Sequence, residues 1–211
     1  MKVKFSFLTL AVLFGTMFYS CETDDVEPDA PIILPPGTAT FILNEVLYDP
    51  SNNGLNGDAN GDGVYSQDDD SFVELYNNSP NDFDLSGFTI WDKDIQGTDS
   101  SIQFTFPDST ILAPSNAIVV FGGGTPTGSF GGSTVLTAGT GLNFNNSGEE
   151  ILIKDSTGVL YLSFDSDALS GNPNESYTRD PDITGGFVQH NAGTSSGVLF
   201  SPGTRLDGTP F

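Results

Sequence analysis

The chain holds one cysteine, one histidine and one tryptophan in 211 residues, and six lysines and arginines against 28 aspartates and glutamates. A single cysteine excludes a disulfide framework. One cysteine and one histidine also fall short of the four nitrogen or sulfur ligands that a structural zinc centre takes. The formal net charge of −22 argues against a nucleic-acid phosphate backbone or an anionic membrane surface as direct partner, since both are bound through basic patches. Such acidity suits a solvated, calcium-rich exterior, and by itself keeps an exposed protein soluble. The apolar run "FSFLTLAVLFGTMF", Phe5 to Phe18, is too short to span a bilayer as a helix, which needs about 18 residues or more. Past that run no helical periodicity is present.

What is there begins with Lys2 and Lys4 ahead of the apolar run, the pattern of a secretory signal over residues 1–20. The run ends at "YSC", whose small residue and cysteine resemble the lipobox of bacterial lipoproteins. That resemblance implies that Cys21 is alkylated by a diacylglyceryl group and becomes the acylated first residue of the mature chain. A membrane partner is then expected through the lipid anchor at Cys21, since three acyl chains exceed the two signals that stable anchoring takes. Removing residues 1–20 takes away two basic residues and no acidic one. Residues 21–37, beginning "CETDDVEPDAPIILPPG", are acidic, proline-rich and without apolar period, as in a flexible tether. The start "CETDD" resembles the tag that exports some lipoproteins to the outer face of the outer membrane, so a cell-surface outer-membrane lipoprotein is the expected localisation.

From Thr38 to Phe211 the chain is long enough for one domain with a sizeable core. Short runs rich in Val, Ile, Phe and Tyr are separated by Gly, Pro, Asn and Asp, which predicts an all-β sandwich. The runs are "ATFILNEVLY" (39–48), "FVELYN" (72–77), "DLSGFTIWD" (84–92), "SIQFTF" (101–106), "NAIVVFG" (116–122), "EILIKD" (150–155) and "VLYLSFD" (159–165). In "SIQFTF" the alternation predicts Ile102, Phe104 and Phe106 on one face. "ILIKDSTGVLYLSF" predicts a hairpin turning at "DSTG". "FGGGTPTGSFGG" (121–132) reads as a long mobile loop, because no Gly-Lys-Ser/Thr follows to make it a phosphate cradle.

The segments "FILNEVLYDP", "SFVELYNNSPNDFDLSGFTIWD", "FTFPDSTILAPSNAIVVFG", "NFNNSGEEILIKDSTGVLYLSF", "NESYTRDPD" and "FSPGTRLDGTPF" resemble, in order and spacing, the lamin-tail domain in its bacterial form. The resemblance covers about Phe41 to Phe211. It implies an immunoglobulin-like sandwich over residues 38–211, carried by bacteria on secreted and surface proteins, with no catalytic set attached to the fold.

Within that domain, "DANGDGVYSQDD" has the spacing of an EF-hand calcium loop inserted at residues 57–70 between the first two strands. Asp58 stands at position 1, Asn60 at 3, Asp62 at 5, the invariant-type glycine Gly63 at 6, the Val64 carbonyl at 7, Ser66 at 9 and Asp69 at 12. Oxygen donors on alternate residues wrap a hard cation, and calcium neutralises carboxylates that otherwise repel. Position 12 carries Asp, as in dockerin-type loops, and the flanks read as loop and strand instead of helices. Asp68 or Asp70 is an additional candidate ligand.

Enzymatic features are sparse. His190 reads as a surface residue near Asn191, and Glu45 and Glu74 lie inside strand runs where a structural hydrogen bond is their expected role. Glu149 and Glu150 complete the carboxylates considered for glycoside hydrolysis. Arg179 and Arg205 are expected to pair with carboxylates and pin the carboxy-terminal segment. Phe72, Tyr76, Phe88 and Trp91 are expected in the core. "DST" at 108–110 and 155–157 resembles a short bacterial O-glycosylation signal, at positions where turns are also expected. The function expected is a calcium-stabilised surface module that binds a protein or glycan ligand without catalysis. A structural or accessory envelope subunit is the alternative, and a hydrolase the third reading.

Overall fold

The structure, a computed structural model, describes residues 41–93, 100–148, 150–166, 169, 173–193 and 197–211. The chain divides into Met1–Ala30 and Pro31–Phe211, and every described residue belongs to the second unit. The expected signal (1–20), Cys21, the expected tether (21–37) and Glu149 lie outside the described residues.

Twelve strands are described: β1 (Phe41–Leu47), β2 (Phe72–Asn77), β3 (Phe83–Asp84), β4 (Thr89–Lys93), β5 (Ser100–Thr105), β6 (Ile111–Leu112), β7 (Ala117–Phe121), β8 (Thr134–Thr137), β9 (Glu150–Lys154), β10 (Leu160–Asp165), β11 (Tyr177–Asp180) and β12 (Gly186–Gln189). They form a six-stranded sheet in the order β12-β11-β1-β2-β7-β8, a four-stranded sheet β10-β9-β4-β5 and a β3-β6 pair. All pairings are antiparallel except β7 with β8. The core between the large sheets takes Phe41, Leu43, Val46, Tyr48, Val73, Leu75, Ile118, Val120 and Tyr177 from one side and Ile90, Ile151, Ile153 and Phe164 from the other. Phe41 stacks on Tyr161 at 4.5 Å and meets Phe83 and Phe88 edge-on. Burying such a ring stabilises the fold by about 1.5–3 kcal/mol.

Strands β1, β2 and β7 are buried at every position, because the outer face of the six-stranded sheet is covered too. Near one end of these strands Leu47, Phe72, Val119 and Phe121 pack with Ala59, Phe130 and Phe200. At the other, Ile42, Tyr76 and Ala117 pack with Ile183 and Phe211. The covering pieces are the acidic loop before β2, the glycine-rich loop after β7 and the carboxy-terminal segment.

Two bulges decide which way side chains point. In β1 the register shifts between Leu43 and Glu45. The extra residue, Asn44, turns Glu45 to the outer face, where simple alternation from Phe41 and Leu43 would drive it into the core. In β5 the register shifts so that Phe104 pairs with core residue Ile90 but Ile102 pairs with Trp91. Ile102 therefore leaves the face it was expected to share with Phe104 and Phe106, and is 52% exposed. The hairpin of β9 and β10 turns where expected, with Asp155 Oδ1 accepting from Thr157 N, Thr157 Oγ1 and Val159 N. The run at 84–92 is not one strand: it splits into Asp84 at the end of β3 and most of β4, because Gly87 has a φ of +74°.

Candidate functional site

The acidic loop leaves β1 and re-enters the sheet at β2, and its backbone is organised by its own side-chain oxygens. Asp58 Oδ2 accepts from Gly63 N at 2.9 Å, Asn60 Oδ1 from Asp62 N at 2.9 Å, and Asp62 Oδ1 from Val64 N at 2.9 Å. Gly63, at φ +89°, makes the turn that a side chain would strain. The loop then ends in a single helical turn, α1 (Gln67–Asp70), with Ser66 as its N-cap accepting from Asp69 N. The helical turn thus closes the loop itself, and the exit flank is strand β2, as expected. Ser66 and the three following acids are what form the turn, since a hydroxyl cap and carboxylates favour a first turn.

Asp58, Asn60 and Asp62 are brought into one loop as expected. Asp58 Oδ1 is buried and accepts no hydrogen bond among the described residues. Asp69 Oδ1 points to the glycine-rich loop, 2.1 Å from where a Cβ on Gly123 would lie. Asp68 is exposed. Asp70 is fully buried and turned inward, its two oxygens accepting from Asn60 N at 3.2 Å and Ser66 N at 2.7 Å. Burial pushes its carboxyl up to about 6 against these hydrogen bonds, and Asp58 adds to the shift. Among the described residues no three Asp, Glu, His or Cys side chains gather as a metal cage. The candidate donors of this loop are mixed: the carboxylates of Asp58, Asp62 and Asp69 with an amide oxygen, a hydroxyl and a carbonyl.

The glycine-rich segment is stitched to the acidic loop, which corrects its reading as a long mobile loop. Gly122 N donates to Ser71 O, Gly123 N to Asp69 O and Thr127 N to Asn60 O. Thr125 N donates to Asp62 Oδ2 at 3.1 Å, and Asn60 Nδ2 to Gly123 O at 3.3 Å. The glycines permit the approach: a Cβ on Gly124 would lie 2.4 Å from Asn60 Nδ2 and 2.5 Å from Asp62 Oδ2. Composition had marked both segments, but their contact across more than 60 residues had no local signal.

His190 is fully buried, not a surface residue. It sits in a 3-10 turn after β12, with Nδ1 at 2.8 Å from the Val198 carbonyl. The hydroxyls of Ser176 and Ser201 both donate to Glu45. Glu45 and Glu74 do hold structural hydrogen bonds, as expected. Arg179 donates to the Leu43 and Gly185 carbonyls and lies over the Phe187 ring. Arg205 Nε donates to Pro210 O, and its guanidinium lies over Phe211. Both arginines fasten the carboxy-terminal half through carbonyls and rings, which the expected carboxylate pairing did not anticipate. Phe72, Tyr76 and Phe88 are buried. Trp91 is only half-buried, because it lies on the outer face of the four-stranded sheet with Lys154 Nζ 3.7 Å from its ring centre.

Two facing sheets in largely antiparallel order, with loops packed over one outer face, define an immunoglobulin-like β-sandwich. Residues 35–166 match the Lamin Tail Domain family model, and the chain belongs to that family. No curated protein matches the chain. Strands β11 and β12 and the carboxy-terminal segment lie beyond the matched residues yet complete the six-stranded sheet.

Proposed function

We propose that this chain is a calcium-stabilised, lipid-anchored lamin-tail module of the cell surface that binds a protein or glycan partner without catalysis. The lamin tail domain is immunoglobulin-like, a fold consistent with a non-catalytic interaction module. The observation that carries the calcium reading is the buried Asp58 Oδ1 without a hydrogen-bond partner, at the start of a loop with oxygen donors on alternate residues. A buried carboxylate oxygen left unmatched costs about 1–3 kcal/mol or more, so a cation beside it relieves a penalty already present. Asp58, Asn60, Asp62, the Val64 carbonyl, Ser66 and Asp69 are the residues that would hold calcium, which supplies the missing positive charge. Asp70 braces the loop from inside through backbone amides. Because the loop is bonded to the glycine-rich segment, holding one orders the other, so the cation's role is to stiffen the surface beside β8.

Calorimetry of the full chain in calcium and in chelator tests this. With a dissociation constant on the order of 0.1 mM, the extracellular regime, calcium at about 10–100 times that value stabilises the fold by roughly 1.4–2.7 kcal/mol. The midpoint should rise by roughly 3–10 °C, with much less from magnesium. Asp58→Ala with Asp62→Ala should abolish the increment. Equal midpoints in calcium and chelator would leave the acidic run a solvated loop only.

A further inference from the structure

The carboxy-terminal segment from Phe200 to Phe211 lies across two carboxyl groups that are fully buried. Glu45 on β1 and Glu74 on β2 are cross-strand partners on the outer face of the six-stranded sheet, a placement in which like charges oppose one another at close range. The segment closes over them in the middle and is seated at both ends. Phe200 enters the Leu47–Phe72–Phe121 cluster, and Phe211 the Ile42–Tyr76 cluster, its ring 5.0 Å from Tyr76. Between these seats Ser201 N and Oγ donate to Glu45 at 2.8 and 2.7 Å, and Gly203 N donates to Glu74 at 2.6 Å.

Other groups face the pair from each neighbouring element. Asn44 Nδ2, on β1, donates to Glu74 at 2.8 Å. Ser176 Oγ, just before β11, donates to Glu45 at 2.6 Å. Thr178 on β11 is the register partner of Glu45. His190 faces Glu45 from the 3-10 turn, and Asp182, from the turn between β11 and β12, adds negative charge near Glu74. Asp182 itself accepts from Leu206 N at 2.9 Å and has Arg205 nearby. Glu45 thus has three hydrogen-bond donors and the His190 ring to hold it ionised. Glu74 has two donors and two acidic neighbours.

We propose that the carboxy-terminal segment is a proton-locked strap, closed while the Glu45–Glu74 pair retains a proton and released when both groups ionise, uncovering the outer face of the sheet. Burial raises both carboxyls, and Glu74 is raised further by the charge of Glu45. A carboxyl raised in the folded state binds its proton more tightly there than in the unfolded chain. Its contribution is therefore complete below the ordinary carboxylate range and is lost as pH rises through the raised value. Two anions side by side in a dry site repel strongly, and because both are fixed on paired strands, the relief open to them is water, which reaches them when the strap leaves. Release would bare the two apolar clusters that Phe200 and Phe211 cap.

Hydrogen exchange of the full chain from pH 5 to 9, corrected for intrinsic base catalysis, tests the strap. Protection of the peptide covering residues 198–211 should fall at least tenfold with rising pH while that of β9 and β10 is kept. In Glu74→Gln, neutral throughout, strap protection should be independent of pH. Phe211→Ala, which loosens one seat without touching the acids, should lower protection and keep its pH dependence. Carbon-13 titration of the wild-type glutamate carboxyls needs no variant, and should give a Glu74 midpoint above the ordinary range. Constant strap protection across the range, an unchanged pH dependence in Glu74→Gln, or a Glu74 midpoint in the ordinary range would overturn the proposal.

Discussion

Replacing Gly124 by alanine isolates the seam between the acidic loop and the glycine-rich segment, provided it is compared with the same change at Gly54. Both glycines have left-handed backbones, at φ +69° and +64°, so both variants carry the left-handed penalty of about 1–2 kcal/mol for a residue with a Cβ. Only Gly124 meets a second obstacle. Its new Cβ would lie 2.4 Å from Asn60 Nδ2 and 2.5 Å from Asp62 Oδ2, whereas at Gly54 no atom lies within 4 Å. Asn60 is fully buried and cannot swing into solvent. Its displacement sacrifices the Asn60–Gly123 and Asp62–Thr125 hydrogen bonds, about 0.5–1.5 kcal/mol each, more where the carboxylate takes part. Gly54→Ala should therefore cost about 1–2 kcal/mol and Gly124→Ala about 2–5 kcal/mol. At roughly 2–4 °C per kcal/mol for a chain of this size, differential scanning calorimetry resolves the two. Repeating the scans in calcium separates structure from site: Gly54→Ala should keep the calcium increment and Gly124→Ala should lose most of it, because the displaced side chains are proposed ligands. Equal losses of stability in the two variants would refute the geometry of the seam.

Phe41→Ala should destabilise the sandwich by about 3–5 kcal/mol, read as a lower urea midpoint with unchanged slope, since the ring is fully buried among Phe83, Phe88 and Tyr161; a loss under 1 kcal/mol would contradict that packing. The Asp155 carboxyl is lowered by the Thr157 hydroxyl and then by the Val159 amide. A depressed carboxyl stabilises the turn above its unfolded value and loses that contribution as pH falls, so carbon-13 titration should place its midpoint below the ordinary range, and Thr157→Val should move it up. A midpoint that stays put in the variant would dismiss the hydroxyl's role. Wild-type protein expressed in a bacterium should label with a fatty-acid probe and partition into detergent, and Cys21→Ala should do neither; retention of both in the variant would rule out the anchor.

The acidic loop shows how far local chemistry reaches. Asp58, Asn60, Asp62 and Gly63 are spaced two residues apart or less, so their Asx-type bonds and the left-handed turn follow from neighbouring residues alone. Most strand runs were legible for the same reason, since alternation and turn residues act over a few positions. The short strands β3, β6 and β8 carried too few residues for a period, and β11 is a strand because it finds β1 as a neighbour, and β12 because it finds β11. Asp70 looked like one more acid in a run of three. It became the inner brace of the loop because the α1 turn rotates it away from Asp68 and Asp69.

By itself, the sequence determined the sandwich class, the hairpin at Asp155 and the loop of alternating oxygen donors, because each rests on composition or on spacing within a dozen residues. Tertiary structure alone decided the direction of Glu45, the burial of His190, the contact of the glycine-rich segment with Asn60 and Asp62, and the carboxy-terminal strap over Glu45 and Glu74. The Asn44 bulge illustrates the reason. Alternation along β1 assigns Glu45 to the hydrophobic core, where an unpaired carboxylate would be prohibitive. One extra residue in the ladder turns it outward, toward hydrogen-bond donors from Ser176 and Ser201, more than 130 positions away in the chain and therefore invisible to any local pattern.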